Sequence, residues 1–390
     1  MSPERKALAD THRLVVKLGT QVVTHDGVEL ALGRLMGLVE SLARLRLAGL
    51  DVILVSSGAV GMGMRQLRLT ERPRSLGLRQ ACAAVGQGHL MAMYARAFAD
   101  IGVTAAQVLL TQEDLGDRDR ALCVRTTLMR LLELGTIPII NENDSVSVRE
   151  LMEHQRRGSD APDDRPVFGD NDGLSALVAT TLDADLLILL TDVDGLFDHN
   201  PKTHPDAKRI AQLEGIDEQS LASAAGISAG GTGGMASKLE AARLATNEGT
   251  TVVIASGNEP RVVQRLLQGE DLGTIIRPRE RRAARWRHIA VSGRRRGAVV
   301  INEGALRALV EAKASLLPIG VQSVEGSFDK GDLVEIRDSS GRVRGRGLVN
   351  YDAEACRALL GRHSDDIGTV LGYRSYDAII TRDNLVMGAG

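Results

Sequence analysis

The sequence predicts an α/β protein with a mainly parallel sheet, followed by a smaller β-rich domain. Short apolar runs alternate with longer stretches whose apolar residues recur at helical spacing, a pattern typical of βα units. Aromatic residues make up only 2% of the 390 residues, so the core is expected to be aliphatic and rich in small side chains. After Ile276 the pattern changes to short strands and turns, which indicates a second domain.

Length, charge and cysteine content narrow the class of protein. A chain of 390 residues exceeds the usual size of one domain, and its formal net charge of −2 gives no overall attraction to nucleic acid or membranes. The three cysteines are widely spaced and include no CxxC pair. The N-terminal residues lack an apolar signal core, and no stretch approaches the roughly 20 apolar residues of a membrane span. We therefore expect a cytoplasmic protein.

The first two strands each end in residues suited to a ligand. The run Leu14–Leu18 predicts a buried strand that carries Lys17, and a buried lysine is costly unless it meets an anion. A lysine at a strand edge can also extend its amine to solvent, so both interpretations stay open. Leucines from Leu32 to Leu45 predict a helix. The second strand, Val52–Val55, runs into Ser56–Gly63, whose small residues would let a ligand approach the backbone.

The chain then reaches the first of two polar clusters. Helices are predicted over Arg79–Phe98 and Arg120–Leu134, with a strand at Val108–Leu110 between them. A further strand, Ile137–Ile140, ends in the polar cluster Asn141–Asp144. Such residues often make turns, but at the C-terminal end of a parallel strand they also suit a charged small ligand.

The second polar cluster, Gly169–Asp172, opens a helix whose apolar spacing begins at Leu174. Asn and Asp commonly cap helices, and a helix N-terminus is also a favourable place for an anion. The charged segment Arg149–Val167 lies between the two clusters and predicts a surface excursion, either a flap over the site or a solvated loop.

A glycine-dense loop gives the clearest phosphate signal. The apolar strand Asp185–Leu190 is followed at once by Thr191 and Asp192, and the loop Gly226–Gly234 then opens a helix that carries Lys238. Unobstructed backbone N–H groups, a positive helix end and a lysine suit a polyphosphate. The chain has no Gly-Lys dipeptide, so the loop is not a Walker A motif. A hinge remains an alternative explanation of the glycines.

Beyond Ile276 the composition becomes basic. Nine arginines face a single acid between residues 277 and 296, and residues 277–288 are predicted to form a basic linker. Strands are expected at Gly297–Ile301, Gly331–Ile336 and Gly345–Val349 in a domain covering residues 289–390. The basic segment at the start of this domain could bind RNA. Trp286, however, is the only tryptophan, tyrosine or phenylalanine in that segment that could stack on a base.

Six motifs, in this order, resemble the amino-acid kinase family, in particular its members that act on glutamate. They are Val15-Val16-Lys17-Leu18-Gly19-Thr20, Ser56-Ser57-Gly58-Ala59, Ile140-Asn141-Glu142-Asn143-Asp144, Gly169-Asp170-Asn171-Asp172, Leu190-Thr191-Asp192 and Gly231-Thr232-Gly233-Gly234-Met235-Ala236-Ser237-Lys238. The resemblance covers essentially the whole chain. It implies a three-layer αβα sandwich with a mainly parallel sheet over residues 1–276 and a PUA domain over residues 289–390.

The resemblance implies ATP-dependent phosphorylation of the side-chain carboxylate of L-glutamate, the first step of L-proline biosynthesis. Mg²⁺ is implied by the nucleotide, although no protein ligand for it can be named from the sequence. Assembly as a homo-oligomer and feedback inhibition by L-proline are implied by the family alone. One departure is that Arg149–Val167 is longer than the corresponding stretch of the family.

Roles for individual residues are carried over by motif match. The implied catalytic residues are Lys17, Lys238 and Asp172, of which Asp172 would orient the two lysines. The implied glutamate-binding residues are Ser57, Asp144 and Asn171, with Asp144 receiving the ammonium group and Asn171 a carboxylate. The implied ATP-binding residues are Lys17, Thr191, Asp192, Thr232, Gly233, Gly234, Met235, Ala236, Ser237 and Lys238.

Two other functions are consistent with parts of the sequence. Another member of the family could phosphorylate aspartate, acetylglutamate, carbamate or a nucleoside monophosphate, although the Ser56–Ala59 and Asn141–Asp144 motifs argue against this. A protein of a different class could bind or modify RNA through the basic segment and the PUA-like domain. Measurements of acceptor preference and of salt-sensitive RNA binding would distinguish these two functions from phosphorylation of glutamate.

Overall fold

The computed structural model describes residues 2–25, 29–71, 73, 75–145, 171–199, 203–204, 206–216, 234–278, 297–312, 314–373 and 376–387. The chain divides into two compact units, Met1–Arg281 and Arg282–Gly390. Of the predicted linker, 277–288, only Arg277 and Pro278 are described, and Arg277 is the last residue of a strand. The charged segment 149–167 and Trp286 lie outside the described residues.

The described strands and helices of the first unit alternate, as the apolar pattern predicts. Its strands are β1 (Arg13–Leu18), β2 (Thr24–His25), β3 (Glu29–Leu30), β4 (Asp51–Val55), β5 (Ala105–Leu110), β6 (Ile137–Glu142), β7 (Leu186–Thr191), β8 (Gln212–Glu214), β9 (Thr251–Ser256) and β10 (Thr274–Arg277). Its helices are α1 (Pro3–Lys6), α2 (Thr20–Val23), α3 (Leu32–Leu47), α4 (Ala59–Gln66), α5 (Leu76–Ala99), α6 (Gln112–Gly116), α7 (Arg118–Glu133), α8 (Asn171–Thr181), α9 (Met235–Asn247) and α10 (Val262–Leu267).

Eight strands form one sheet in the order β5-β6-β4-β1-β7-β9-β10-β8. Every described pairing from β5 to β9 is parallel, whereas β10 pairs antiparallel with β9 and parallel with β8. The prediction of a mainly parallel sheet is therefore confirmed. Because parallel strands end at the same edge, the residues that follow β1, β4, β6 and β7 lie along one rim.

Apolar side chains cover both faces of the sheet. Along β1, Leu14 and Val16 pack in the core that includes α3, α5 and α10, while Val15 packs in the opposite core, which includes α7, α8 and α9. This is the expected αβα sandwich. Side chains two positions apart on a strand share a face, so Lys17 lies on the same face as Val15, toward α8 and α9.

Two glycines bring helices α4 and α5 into close contact. A Cβ atom at Gly63 would lie 1.7 Å from the carbonyl oxygen of Cys82, and one at Gly86 would lie 1.8 Å from that of Ala59. The small residues of Ser56–Gly63 were expected to admit a ligand to the backbone. Ser56–Gly58 precede a helix that begins at Ala59, and Gly63 within that helix admits a neighbouring helix.

Arg5 ties the N-terminal segment to the last strands of the large sheet. Its buried guanidinium donates hydrogen bonds to the carbonyl oxygens of Ala211, Glu270, Leu272 and Gly273. A buried carbonyl group without a partner is costly, so these bonds stabilise the turn that leads into β10.

The second unit is a small β-rich domain, as predicted. Its strands are β11 (Gly297–Ile301), β12 (Val321–Gly326), β13 (Leu333–Arg337), β14 (Val343–Leu348) and β15 (Leu385–Met387), and its helices are α11 (Glu303–Val310), α12 (Ala353–Ala358) and α13 (Ile367–Leu371). The five strands form a sheet in the order β12-β11-β13-β14-β15, and the core contains aliphatic side chains with Phe328, Tyr351 and Tyr376.

No helix in the described part of the chain is long and apolar enough to cross a membrane.

Candidate active site

Two buried lysines converge on one carboxylate. Lys17, near the end of β1, places its Nζ 2.7 Å from Oδ1 of Asp172, the second residue of α8. Lys238, in the first turn of α9, places its Nζ 3.2 Å from Oδ2 of the same residue. Lys17 and Asp172 are 1% and 0% exposed. The fold brings these three residues together, although Lys17 and Lys238 are more than 200 positions apart in the sequence, because their elements pack on one face of the sheet.

The electrostatics of Asp172 follow from this arrangement. Burial alone would raise the pKa of its carboxyl, but the charges of Lys17 and Lys238, with hydrogen bonds from Lys17 and Ser237, outweigh that effect and lower the pKa. Ser237 donates from Oγ to Asp172 Oδ2 over 2.7 Å. Asp172 is therefore ionised at neutral pH, and it is held by its partners as a fixed anion between two cations.

Gly19 brings the turn after β1 close to the end of β7. Its backbone N–H donates to the carbonyl oxygen of Leu190, and a Cβ atom there would lie 3.1 Å from that oxygen and 3.9 Å from Lys17 Nζ. The turn after β1 is thus held against the end of β7. The motif match included Gly19 but assigned it no role.

Thr191 and Asp192 lie on the same rim. Thr191 is the last residue of β7 and is buried, whereas Asp192 is exposed immediately after it. Thr191 Oγ1 donates to Asp192 Oδ1 over 3.0 Å. Since β7 neighbours β1 in the sheet, both residues lie beside the end of the strand that carries Lys17.

The described part of the predicted phosphate loop is a helix N-terminus. Gly234 is the N-cap of α9, and Met235, Ala236 and Ser237 form its first turn. No described side chain caps this end, so the turn that carries Lys238 offers backbone N–H groups and the positive end of a 13-residue helix. Thr232 and Gly233 lie outside the described residues.

A second polar group adjoins the lysines through Asn171, the residue before Asp172. Asn171 Nδ2 lies 2.5 Å from the carbonyl oxygen of Ser56, 3.1 Å from Ser57 Oγ and 2.8 Å from Asn141 Oδ1. These contacts join the ends of β4 and β6 to the start of α8. The Asn171 donor is directed at three protein acceptors, so a carboxylate that binds it must replace one of them.

Asp144 lies in a turn two residues after β6 and is partly exposed. Asn141, at the fifth position of that strand, is buried and contacts Asn171. Asp144 therefore lies three residues from a side chain of the polar group, on the rim where β4 and β1 also end.

Helix α5 supports this polar group from behind. Gln87 accepts a hydrogen bond from Asn141 Nδ2 over 2.7 Å, and the hydroxyl groups of Tyr94 and Ser56 lie 2.9 Å apart. Burial raises the pKa of Tyr94, so its hydroxyl stays protonated at neutral pH. Sequence reasoning missed both residues. The sequence did contain a signal for them. Gln87 and Tyr94 are seven positions apart, so their polar groups lie on one face of the helix, and the rest of that face is apolar.

The donor set suits ATP better than a protein-bound metal. The cations and the helix N-terminus fit a polyphosphate, while both oxygens of Asp172 face lysines and so are poorly placed to hold Mg²⁺. Within the described ranges, no three His, Cys, Asp or Glu side chains are close enough to hold a metal ion.

Comparisons with known proteins agree with this geometry. Residues 12–256 match the sequence pattern of the amino acid kinase family, and residues 297–371 match that of the PUA domain. The chain belongs to the amino acid kinase family. This amino acid kinase is 48% identical over 386 residues to a protein named glutamate 5-kinase from Moorella thermoacetica, and the match covers 98% of each chain.

Other relatives carry the same name. A glutamate 5-kinase of Gloeobacter violaceus is 47% identical, with 96% of this chain and 98% of the relative covered. One from Pseudomonas paraeruginosa is 44% identical, with 98% and 100% covered. The resemblance inferred from six motifs is thus confirmed, as are the αβα kinase fold and the PUA domain of this amino acid kinase.

Proposed function

We propose that this protein is a glutamate 5-kinase that transfers the γ-phosphoryl group of ATP to the side-chain carboxylate of L-glutamate. The observation that carries the proposal is the adjacency of two groups through one peptide bond. Asp172 holds the two buried lysines, and Asn171 belongs to the polar group that includes Ser57. This adjacency supports a phosphate site and an acceptor site side by side, and full-length similarity to enzymes of that name supports the choice of acceptor.

The reaction needs positive charge more than it needs a base. The γ-carboxylate of glutamate is already ionised near neutral pH, so it can attack the γ-phosphorus directly. A bond forms between a carboxylate oxygen and that phosphorus, and the bond from phosphorus to the bridging oxygen of ADP breaks. Charge spreads over the transferring group and the leaving oxygen as this happens. Lys17 and Lys238 are the cations placed to stabilise that charge.

Asp172 serves these lysines by fixing their amines. Each of its two oxygens faces one lysine, so the two amines are held close to the carboxylate and do not extend into solvent. Such preorganisation avoids the cost of reorienting charges during the reaction. Mg²⁺, when bound, supplies further neutralisation of the phosphates, and we propose that it is held mainly by the nucleotide.

We assign the remaining residues by their places on the rim. ATP is proposed to bind at Gly19, Thr191, Asp192 and the α9 N-terminus, with the Thr232–Lys238 motif around its phosphates. Ser57 can donate its hydroxyl hydrogen to a glutamate carboxylate, because its Oγ accepts from Asn171. Asp144 is proposed to receive the ammonium group, and Asn171 to contact the substrate from the start of α8.

A coupled assay of ADP release tests this proposal. We expect turnover with L-glutamate and much slower turnover with L-aspartate, N-acetyl-L-glutamate, carbamate or UMP. Hydroxylamine should trap the acyl phosphate product as the hydroxamate of glutamate, which identifies the carboxylate as the acceptor. A higher kcat/KM with aspartate than with glutamate would contradict the proposal.

Regulation, assembly and compartment extend the same proposal on the strength of the family resemblance. We propose a cytoplasmic homo-oligomer that is inhibited by L-proline. Glutamate saturation curves that do not change with millimolar L-proline would remove the inhibition from the proposal. A monomeric mass in light scattering at assay concentration would remove the oligomer.

A further inference from the structure

Gln87, on helix α5, contacts the polar group of the proposed acceptor site. It follows Gly86, whose missing Cβ lets α5 approach Ala59 of α4. The side chain of Gln87 is buried, with only 9% of the residue exposed. Its Oε1 accepts from Asn141 Nδ2 over 2.7 Å. A polar side chain is thus held against the polar group of Ser57, Asn141 and Asn171.

The hydrogen bonds around Asn141 fix which way Gln87 points its amide. Asn141 Oδ1 accepts from the backbone N–H of Glu142 over 3.0 Å and from Asn171 Nδ2 over 2.8 Å. A backbone N–H can only donate, so the oxygen of Asn141 must face it and the amide nitrogen must face Gln87. The atom of Gln87 at that contact is therefore its oxygen, and its nitrogen points elsewhere.

The nitrogen that remains has no hydrogen-bond partner among the residues that the structure describes. Gln87 Nε2 is buried and carries two N–H donors, neither of which meets an acceptor there. Buried donors are nearly always satisfied, and an unsatisfied one costs free energy. An apolar side chain of the same length would avoid that cost. A bound molecule that supplies the acceptor would explain why a glutamine is present at this position.

The order of contacts indicates which part of glutamate that acceptor belongs to. Successive contacts lead from the lysines and Asp172, through the adjacent Asn171 and then Asn141, to Gln87. The reacting γ-carboxylate must lie at the lysine end. Glutamate has one other carboxylate, at the opposite end of the molecule, and a carboxylate is a strong acceptor for an amide N–H.

We propose that Gln87 determines specificity for the amino acid by donating from Nε2 to its α-carboxylate, while Oε1 holds Asn141 in place. This inference rests on the proposed function and deepens it. Acceptors without the α-carboxylate gain nothing from Gln87. Glutarate keeps both carboxylates but lacks the ammonium group, and 4-aminobutyrate keeps the ammonium group but lacks the α-carboxylate. The two molecules therefore form a matched pair of probes.

The test uses Gln87→Met in the full chain, with each probe measured as a competitor of glutamate. Methionine keeps the length and apolar stem of glutamine and removes the donor. We expect the KM for glutamate and the inhibition constant of glutarate to rise together, by about tenfold to a hundredfold for a lost bond to a charged group. The inhibition constant of 4-aminobutyrate and the KM for ATP should stay within about twofold, because neither ligand meets the donor.

A second variant separates donation from support of Asn141. Gln87→Glu keeps an oxygen for Asn141 but replaces the donor by a carboxylate, which repels the substrate. It should raise the KM for glutamate at least as much as Gln87→Met. A KM for glutamate within twofold of wild type in Gln87→Glu would show that Gln87 only supports its neighbour, and would overturn the inference.

Controls make the outcomes distinguishable. Ser41→Ala removes one partly buried hydrogen bond, from Ser41 Oγ on helix α3 to Gln264 Oε1 on helix α10 over 2.8 Å, and should leave all these constants unchanged. Equal weakening of glutamate, glutarate and 4-aminobutyrate in Gln87→Met would overturn the inference, since a general distortion acts on all three. If Gln87→Glu does not fold, the comparison of the three ligands in Gln87→Met still tests the inference. Wild-type protein that does not phosphorylate glutamate would instead overturn the proposed function.

Discussion

Lys17 and Lys238 lie on opposite oxygens of a single buried carboxylate, at 2.7 Å and 3.2 Å from it. One lysine comes from the first strand of the sheet and the other from a helix near the end of the same unit. Two like charges so close together would repel each other without the anion between them. The relationship makes Asp172 the residue on which both cations depend, and it yields the first two predictions.

Asp172→Asn should lower both stability and kcat. The substitution keeps the shape of the side chain but leaves two buried ammonium groups without their anion, and breaking a buried ion pair costs about 3–5 kcal/mol. The kcat should fall by about a hundredfold or more as the lysines lose their positions or their protons. Urea unfolding and ADP release measure the two effects. Asp51→Asn, in a partly exposed pair with Arg13, is the control and should change stability by about 1 kcal/mol or less.

The stabilisation from Asp172 should disappear in acid. Its pKa is lowered in the folded protein, so the carboxylate stabilises the fold above its unfolded pKa of about 4 and loses that effect as the pH falls through the folded value. The difference in unfolding free energy between wild type and Asp172→Asn should be constant from about pH 7 to 5 and narrow below about pH 4. Urea titrations from pH 7 to 3 measure it. A difference that widens in acid would contradict the sign.

Lys238→Ala should act on kcat and not on substrate binding. Its amine adjoins the proposed position of the transferring phosphoryl group, where charge grows in the transition state. We expect kcat to fall by about a thousandfold with KM values changed by no more than about fivefold. Steady-state kinetics with both substrates give these values. Lys208→Ala removes a lysine that lies on an exposed turn and should leave kcat unchanged.

Asp144→Ala should mainly raise the KM for glutamate. If Asp144 receives the ammonium group, its loss removes a charge-assisted bond made in both the ground state and the transition state. We expect a rise of about tenfold or more in that KM, with the KM for ATP unchanged. Glutarate, which has no ammonium group, should inhibit wild type and variant equally. A change in glutarate inhibition as large as that in glutamate KM would show that the role is misassigned.

Gly86→Ala and Gly88→Ala should have opposite effects, although both lie in helix α5. A Cβ atom at Gly86 would lie 1.8 Å from the carbonyl oxygen of Ala59, whereas one at Gly88 meets nothing within 4 Å. We expect Gly86→Ala to destabilise the fold by about 2 kcal/mol or more and to raise the KM for glutamate through a displaced α5. Gly88→Ala should stabilise by about 0.5–1 kcal/mol. Thermal unfolding and kinetics of the pair test this.

Much of the fold could be predicted because its elements are long and periodic. The predicted strand Val52–Val55 is observed as Asp51–Val55, and the predicted helix Arg79–Phe98 as Leu76–Ala99. The helix Ala59–Gln66 was missed, since its glycines suggest a loop when the neighbouring helix is unknown. Glycine has low helix propensity, and only the close approach of α5 explains why it is present.

The candidate site could be predicted only where a residue belongs to a loop motif. Lys17 lies near the end of a strand, Asp172 and Lys238 lie near the starts of helices, and their motifs marked them. Gln87 and Tyr94 lie inside a helix, where local sequence looks like ordinary core. Their role depends on which strand ends they meet, and this is set by packing across the sheet and not by sequence neighbours.

The bonds from Arg5 to four carbonyl groups have a practical consequence for anyone preparing the protein. Removing the first few residues, by proteolysis or by a trimmed expression vector, would strip partners from the chain that enters the outermost strands. Each orphaned carbonyl would cost about 1–3 kcal/mol. Protein that lacks these residues should therefore be less stable on storage and on heating, although every residue proposed to contact a substrate is still present.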